Sequence, residues 1–188
     1  MRPDRRLLVA GGTPGPEVIR AAVAAARPRA EAVATGPAVR LLEDGLQRRA
    51  TRAIIHRIGP AGLTEIPDLP SASVLAPDLP LDHLHGELRR EVDETLGLHP
   101  IGVVLDGETP VSFCYPTLVT ERYWDITIET LEGYRRSGRA AAAFFRVERE
   151  MRLTGRQPVW GAAENNPASL ALAAKLGFVP VAEVGWIE

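Results

Sequence analysis

The sequence has one cysteine, one lysine and no long apolar run, and the first and last of these shortages each exclude a class of protein. Cys114 cannot form a disulfide within the chain, which fits a reducing compartment. It lies in a strand-like run, so we expect a small buried hydrophobe there rather than a nucleophile. No apolar run approaches the roughly 18 residues of a transmembrane helix, and the stretch after the basic N-terminus is too short for a secretory signal. We therefore expect a cytoplasmic location and no membrane partner.

Positive and negative charges nearly balance, so no bulk electrostatic field favours a nucleic acid partner. The 188 residues include 22 basic and 24 acidic side chains, a formal net charge of −2. Any attraction for phosphate must therefore be local. Lys175 is the only lysine, and the other basic residues are arginines, whose fixed fork of donors suits carboxylates and phosphates. The 45% of apolar residues is typical of a globular protein with a sizeable core.

Two features resemble metal or phosphate sites but lack the necessary spacing. His83 and His85 are two residues apart in a helical pattern, so they do not share a helix face. No carboxylate or thiol cluster accompanies them, and we expect surface roles and no metal. The run GGTPGP, residues 11–16, lacks the lysine and hydroxyl of a phosphate-binding loop, and its prolines remove backbone donors. We interpret it as a turn.

The pattern of the first hundred residues is less distinct than that of the rest, and residues 1–50 are the hardest to interpret. We assign residues 1–50 to an N-terminal helical extension of unknown role and residues 51–188 to one domain. Many prolines and glycines in residues 59–80 predict a connecting loop. The other elements of this half follow from apolar periodicity: a short strand before residue 11, helices over about 16–27 and 37–49, a strand over 51–58 and a helix over about 81–96.

From residue 101 onward the pattern predicts a mixed sheet. The runs IGVVL and PVSFCY flank DGET, which predicts a β-hairpin. Strand 124–130 extends the hairpin, and a helix then runs to about Thr154. Strands 124–130 and 158–163 enclose this helix in a βαβ unit with parallel strands. A helix over 167–176 and a strand from Phe178 follow. The predicted class is α/β (α+β), with a mostly antiparallel mixed sheet, a central βαβ unit and helices on both faces.

Three arginines surround Gly138, where the predicted strand meets the helix. A helix N-terminus offers unpaired N–H groups and the positive end of a dipole. Glycine also lets a ligand approach the backbone closely. Arg135, Arg136 and Arg139 add positive charge, so the segment suits a di-anion such as a pyrophosphate. The alternative interpretation is a basic surface turn capped by Ser137.

Two segments together resemble a known family. The run RRSGRA, residues 135–140, fits the pattern Q/R-x-x-G-x-G/A and resembles motif A of the GCN5-related N-acetyltransferases, the GNAT superfamily. The run NPASLALAAKLGF, residues 166–178, resembles motif B of the same superfamily. The resemblance covers about residues 51–188, most strongly 101–188, because the predicted elements also follow the GNAT order. Within the superfamily the chain looks closest to the zwittermicin-resistance-type acetyltransferases.

The resemblance implies an acyltransferase with acetyl-CoA as cosubstrate and no metal. The acceptor is a primary amine, in our interpretation that of a small molecule, and it attacks directly in a ternary complex. The alternative is a sensor or scaffold module that binds CoA without turnover. The resemblance also implies a set of CoA-binding residues in the strand, the loop and the second motif: Ile128, Thr130, Arg135, Arg136, Ser137, Gly138, Arg139, Ala140, Asn166 and Ser169, with helix capping as the alternative role of Ser169.

Acids in strand 124–130 are the first candidates for a general base. Asp125 and Glu129 share one face of an extended strand because side chains alternate with a period of two. An acid there takes the proton of the amine directly or through water. A solvated charge or an ion pair with the arginines is the alternative role for each. Glu121 and Glu164 are weaker candidates.

Two departures from the family pattern affect these expectations. Ala173 stands where motif B usually has a tyrosine that protonates the leaving thiolate. A thiol pKa near about 8.5 makes the thiolate a fair leaving group even so. The chain also ends soon after the strand from Phe178, so the sheet edge needs a cover: a terminal stub, the N-terminal segment, or a second subunit in a homodimer. For three aromatic residues we favour core packing over lining an acceptor pocket: Trp124, Trp160 and Tyr115.

Overall fold

The structure is a computed structural model that describes residues 7–10, 15–25, 31–36 and 38–187. Most of the predicted turn at 11–16 lies outside the described residues. The described elements are, in chain order, β1 Leu7–Ala10, α1 Pro16–Ala25, β2 Glu31–Thr35, α2 Ala38–Leu46, β3 Thr51–Ile58, β4 Ser73–Val74, α3 Gly86–Thr95, β5 Gly102–Asp106, β6 Thr109–Tyr115, β7 Tyr123–Asp125, β8 Thr127–Thr130, α4 Arg139–Leu153, β9 Gln157–Ala163, α5 Pro167–Lys175 and β10 Phe178–Ile187.

These residues form two compact units. The central unit consists of residues 57–160 and 174–178. The terminal unit consists of the described residues among 1–56, 161–173 and 179–188. The division of the chain at residue 50 into an extension and a domain stays a prediction.

The central unit contains a four-stranded antiparallel sheet in the order β4-β5-β6-β8. Strands β5 and β6 form the predicted hairpin, and Gly107 supplies the left-handed backbone of its turn, with φ of 60°. The short strand β4 lies inside residues 59–80, which we expected to be loop throughout. Two residues are too few for a periodic pattern, so no signal in the sequence marks this strand.

Helices cover both faces of this sheet, as predicted. Phe113 and Tyr115 join the residues that precede and form α3 in one buried cluster, which includes Leu84 and Val92. Helix α4 packs on the opposite face, where Cys114 is completely buried as expected. A Cβ at Gly102 of β5 would overlap the Ala143 carbonyl oxygen of α4. Glycine on the strand and alanines on the helix therefore permit very close packing.

The central unit also contains the parallel pair of the predicted βαβ unit. Tyr123 in β7 lies opposite Gln157 in β9. Phe144 of α4 packs against three rings, with centroid distances of 6.2 Å to Trp124 and to Trp160 and 5.7 Å to Phe178. Tyr115, Trp124 and Trp160 are buried, which confirms core packing for them.

Helix α3 is shorter than predicted. The apolar spacing from Leu81 predicted one helix over about 81–96, but α3 begins at Gly86. Leu81 and Leu84 instead form a turn closed by a 3.0 Å bond from the Leu84 N–H to the Leu81 oxygen. Gly86 has φ of 62°, outside the helical range, which explains why the helix does not extend back through it. A turn that buries both leucines reproduces helical spacing over so short a run.

His83 is also placed differently from our expectation. Its Nε2 lies 2.8 Å from the Pro110 oxygen in a partly buried contact, so it links two segments and is not a simple surface residue. Within the described ranges no group of three His, Cys, Asp or Glu side chains is arranged to hold a metal ion. Those ranges also contain no helix long and apolar enough to cross a membrane.

The terminal unit shows how the edge of the last strand is covered. Strand β2 pairs in parallel with β1 and antiparallel with β10, where Trp186 lies opposite Val33. Helix α2 buries Val39 and Leu42 against Ile187. The N-terminal segment therefore covers this edge, which was one of the three predicted solutions. Strand β2 was not predicted, because its sequence EAVAT is short and rich in alanine.

Candidate functional site

The segment from Tyr123 to Thr130 changes its partner strand partway along. Its first part, β7, follows β9, and the last bond to that strand runs from the Ile126 N–H to the Val159 oxygen at 3.2 Å. Its second part, β8, pairs with β6 and is the last strand of the four-stranded sheet. The side of β8 that faces away from β6, which we call the open edge of β8, has no strand partner among the described residues.

Backbone groups of two predicted binding residues point to this open edge. The Leu131 N–H bonds to the Val111 oxygen at 2.9 Å and so points towards β6. Because backbone groups alternate in direction along an antiparallel pair, those of Ile128 and Thr130 point the opposite way. The Thr130 oxygen accepts a bond from Arg135 Nε at 3.0 Å. The N–H and C=O of Ile128 and the N–H of Thr130 are therefore available to a ligand.

The open edge leads directly to the N-terminus of α4. Gly138 precedes the helix with φ of 78°, and no described side chain caps the first turn. The Ala142 N–H bonds to the Gly138 oxygen at 3.0 Å, so the N–H groups before it have no acceptor within the helix. Arg136 has φ of 61°, a left-handed backbone that is uncommon for a residue other than glycine. The positive end of the helix thus follows the open edge within one short loop.

Side chains of this loop hold its shape. Ser137 Oγ donates a bond of 2.7 Å to the Tyr134 oxygen, and Arg139 donates a bond of 2.7 Å to Ser137 Oγ. The Arg139 guanidinium also lies 5.3 Å from the centre of the Tyr134 ring, a cation–π distance. With Arg135 bonded to the end of β8, two of the three arginines fix the loop. The side chain of Arg136 is exposed.

Glycine at position 138 is required by both conformation and space. A Cβ there would lie 3.1 Å from Leu69 Cδ2 and 3.5 Å from Pro70 Cδ. Its left-handed φ would in addition strain any residue with a side chain. This is the position at which the sequence motif also has glycine.

Glu129 lies on the α3 side of the sheet, directly opposite Phe113. Desolvation by the surrounding protein raises the pKa of its carboxyl above the ordinary value of 4.5, although the residue is exposed to solvent. Arg135 acts to lower that pKa, while Glu91 and Glu87 raise it further by like-charge repulsion. The carboxyl is therefore a stronger proton acceptor than an ordinary surface glutamate.

Asp125 lies on β7, separated from Glu129 by the break at Ile126. Its carboxylate accepts bonds from the N–H groups of Thr117 and Leu118 at 2.8 and 2.6 Å, and from Thr117 Oγ1 at 2.6 Å. These three bonds pin the segment between β6 and β7. Its role as a base stays a prediction, but most of its acceptor capacity is already used.

We expect Asp125→Ala to lower the free energy of unfolding by about 1–3 kcal/mol, because three donors lose a charged acceptor. Urea denaturation monitored by tryptophan fluorescence measures this. Glu121→Ala, an exposed acid in the same segment, is the control and should change stability by no more than about 0.5 kcal/mol. Equal stability of the two variants would contradict the structural role of Asp125.

Comparisons with known proteins point to one family. A family model described as GNAT acetyltransferase matches residues 99–185. The chain has the GNAT fold, and residues 99–185 are similar to the GNAT acetyltransferases. Among solved structures it is similar to a GCN5-related N-acetyltransferase-like protein from Streptococcus suis, with 21% identity, 83% of this chain and 70% of that chain covered, and a TM-score of 0.58.

Two further GNAT structures give the same result. A putative GNAT acetyltransferase from Novosphingobium aromaticivorans shares 14% identity over 94% of this chain and 82% of its own, with a TM-score of 0.61. A GCN5-related N-acetyltransferase from Kribbella flavida shares 17% identity over 91% of this chain and 72% of its own, with a TM-score of 0.60. At these identities the likeness establishes the fold alone. No curated protein sequence matches the chain.

Residues of the segment that resembles motif B make structural contacts within the unit to which each belongs. In the terminal unit, Asn166 Oδ1 accepts the Ser169 N–H at 3.1 Å at the start of α5, and Ala173 is completely buried. In the central unit, Gly177 has φ of 90°, and a Cβ there would lie 2.6 Å from the Gly62 oxygen. The roles of Asn166 and Ser169 in binding CoA stay predictions.

Tyr115 and Glu91 make a contact that the sequence analysis did not predict. Tyr115 was assigned to the core, and its ring is there, but its hydroxyl donates a bond of 2.9 Å to Glu91 Oε2. Glu91 was not singled out. Only its position next to the buried Val92, on the inner side of a predicted helix, signalled that this acid is not simply a surface charge.

Proposed function

We propose that the chain transfers an acetyl group from acetyl-CoA to a primary amine of a small molecule, by direct attack in a ternary complex. The observation that carries the proposal is the continuity between the open edge of β8 and the uncapped N-terminus of α4 at Gly138. The open edge offers hydrogen bonds to an extended, amide-bearing arm. The helix end offers N–H donors to a di-anion. An acyl-CoA carries an amide-bearing arm and a pyrophosphate in this order along one molecule.

The residues that would hold the cosubstrate fall into three roles. The backbone of Ile128 and the N–H of Thr130 would bond to the pantetheine arm. The first N–H groups of α4, from Gly138 to Ala140, would bond to the pyrophosphate. Arg136 adds an exposed positive charge, while Arg135 and Arg139 keep the loop in its binding shape.

The thioester supplies an acyl group that is already activated, so the protein must mainly hold it beside a neutral amine. The amine nitrogen forms a bond to the carbonyl carbon, and the bond from that carbon to sulfur breaks. Glu129 takes the proton from the nitrogen, directly or through a water molecule. We assign this role to Glu129 in preference to Asp125, because the latter already accepts three hydrogen bonds from the protein.

None of the chain's three tyrosines lies in the second motif, residues 166–178. Tyr115 donates its hydroxyl proton to Glu91, and Tyr123 accepts a bond from Arg57 at 3.2 Å. Ala173 replaces the residue usual in the family. We therefore propose that the thiolate leaves without a protein acid and takes a proton from solvent, as its moderate basicity allows.

We propose one cavity as the acceptor site, although Glu129 is not among its lining residues. Its volume is about 290 Å³, and Glu91, His99 and Thr117 line it on the α3 side of the sheet. This volume is near the lower end of the range for small-molecule sites. The narrower likeness to zwittermicin-resistance-type acetyltransferases stays a prediction.

A thiol-release assay with a panel of small primary amines tests the proposal. We expect steady formation of free CoA with at least one amine, with one acetylated product per thiol. The alternative, a module that binds CoA without turnover, is favoured by Ala173. Thermal stabilisation by acetyl-CoA without thiol release from any amine would support that alternative. No thermal shift at millimolar acetyl-CoA would exclude both.

A further inference from the structure

Tyr115, in a buried apolar cluster, bonds to Glu91, a partly buried acid at the margin of that cluster. Tyr115 is fully buried in β6, and its hydroxyl donates a bond of 2.9 Å to Glu91 Oε2 on α3. The surrounding cluster consists of residues such as Val92, Ile101 and Phe113. A phenylalanine would fill nearly the same volume, and no acid would then be needed beside it. The pair therefore calls for an explanation other than packing.

The pair lies on the same face of the sheet as Glu129. Thr127 is directly opposite Tyr115, and Glu129 is directly opposite Phe113. Tyr115 and Glu129 are thus diagonal neighbours across the strand pair, roughly 7–8 Å apart at their Cα atoms. Tyrosine is long enough to place its hydroxyl, and with it the Glu91 carboxylate, above this face.

The charged groups that act on Glu129 come from two elements. Arg135, in the loop after β8, favours the ionised carboxylate, while Glu91 and Glu87 of α3 disfavour it. Glu87 is bonded to Arg90 at 3.0 Å, so a positive partner partly offsets its charge. The Tyr115 hydroxyl holds Glu91 in place without neutralising it. Among these charged groups, Glu91 is therefore the negative charge that a hydrogen bond from Tyr115 holds in place.

We propose that Glu91, anchored by Tyr115, is a positioning residue whose fixed negative charge strengthens Glu129 as the proton acceptor of the reaction. The inference rests on the proposed function, because it assigns a role within the same site. Neither Glu91 nor Tyr115 needs to touch the reacting atoms.

The chemistry agrees with this role. A general base works best when its pKa is close to the working pH, and a like charge nearby moves a carboxyl in that direction. Burial raises the pKa of Tyr115 far above its ordinary value, and the bond to Glu91 raises it further. The tyrosine therefore stays protonated and keeps donating throughout the working range of pH.

Glu91→Gln tests the role, because the amide keeps an oxygen for the tyrosine and loses only the charge. We expect the pKa of Glu129, measured by carbon-13 NMR titration of the free protein, to fall by roughly half a unit or more. Glu129→Gln identifies the resonance. Asp93→Asn, the same change of charge on α3 at a residue bonded to Arg89, is the control and should have a smaller effect.

Two further measurements complete the test. In the presence of Tyr115→Phe the shift caused by Glu91→Gln should shrink, because Glu91 is no longer held. In steady-state kinetics, the low-pH limb of kcat/KM should move to lower pH in Glu91→Gln, by the same amount as the NMR pKa. A mere packing defect would lower the rate at every pH without moving the limb.

Each outcome separates this inference from the proposed function. An unchanged Glu129 titration in Glu91→Gln would overturn the inference even if the enzyme is active. A shifted titration with an unmoved kinetic limb would show that Glu129 is not the base, and would overturn the inference together with that assignment. Equal shifts of the Glu129 pKa and of the kinetic limb would support both the inference and the assignment of Glu129 as the base. Absence of turnover with every amine would reject the proposed function, and the positioning role with it, whatever the titration shows.

Discussion

Replacement of Gly138 by glutamate is expected to abolish the stabilisation that acetyl-CoA gives to the wild-type protein. At a concentration about 100 times the Kd, binding stabilises the folded state by about 2.7 kcal/mol. For a chain of this length that corresponds to a rise in Tm of roughly 5–10 °C. The glutamate removes the shift because its charge repels a phosphate and its Cβ, 3.1 Å from Leu69 Cδ2, disturbs the loop. The left-handed φ of 78° adds strain that lowers stability with or without ligand. Differential scanning fluorimetry with and without acetyl-CoA measures the effect.

Gly155→Glu is the matched control for this experiment. Gly155 follows the other end of α4 and has φ of 77°, almost the same as Gly138, but a Cβ there would meet no atom within 4 Å. Both variants should therefore lose similar stability from backbone strain, about 1–2 kcal/mol, and only Gly138→Glu should lose the shift. Equal shifts in wild type and Gly138→Glu would place the phosphates elsewhere.

Removal of the proposed base has the second largest expected effect. We expect Glu129→Gln to lower kcat/KM by about 10²- to 10⁴-fold at neutral and higher pH, the range for loss of a general base. The pKa of Glu129 is raised, so the wild-type carboxyl becomes an effective base only above a pH higher than 4.5. The ratio of wild-type to variant rate should therefore be small at acid pH, rise through that pKa and then level off. Protonation of the amine lowers both rates by the same factor, so its effect cancels in the ratio.

Asp125→Ala provides the comparison that decides between the two candidate bases. Measured below its reduced Tm, it should retain far more activity than Glu129→Gln. The opposite order, with a folded Asp125→Ala variant less active than Glu129→Gln, would transfer the assignment to Asp125. A constant ratio of rates at every pH would exclude Glu129 as the titrating base.

The local parts of the site were predictable because they depend on neighbours in the chain. Gly138 begins a helix after a β-forming run, and glycine is the residue that accepts both the left-handed backbone and the close contact found there. The hairpin around Gly107 and the parallel strands of the βαβ unit follow from turn residues and from the handedness of connections. The two motifs, in their order, predicted the GNAT fold that the comparisons support.

The strands of the N-terminal fifty residues were less predictable. The five residues of β2 have weak β-propensity, and this strand owes its place to pairing with β10, about 150 residues later in the chain. Similarly, the apolar spacing from Leu81 is satisfied equally by a helix and by a turn that buries the same leucines. In both cases contacts distant in the sequence decide between local alternatives.

The sequence by itself determined the family resemblance, the position of Gly138 at a helix start and the two acids that compete for the role of base. Only the tertiary structure separated those acids. Side-chain periodicity placed Asp125 and Glu129 on one face, but the change of strand partner at Ile126 divides them. Asp125 then bonds to a turn, while Glu129 feels the negative charge of Glu91, to which Tyr115 bonds from another strand. A carboxyl's proton affinity depends on desolvation and on charges within several ångströms, and these neighbours are assembled by folding from segments far apart in the chain.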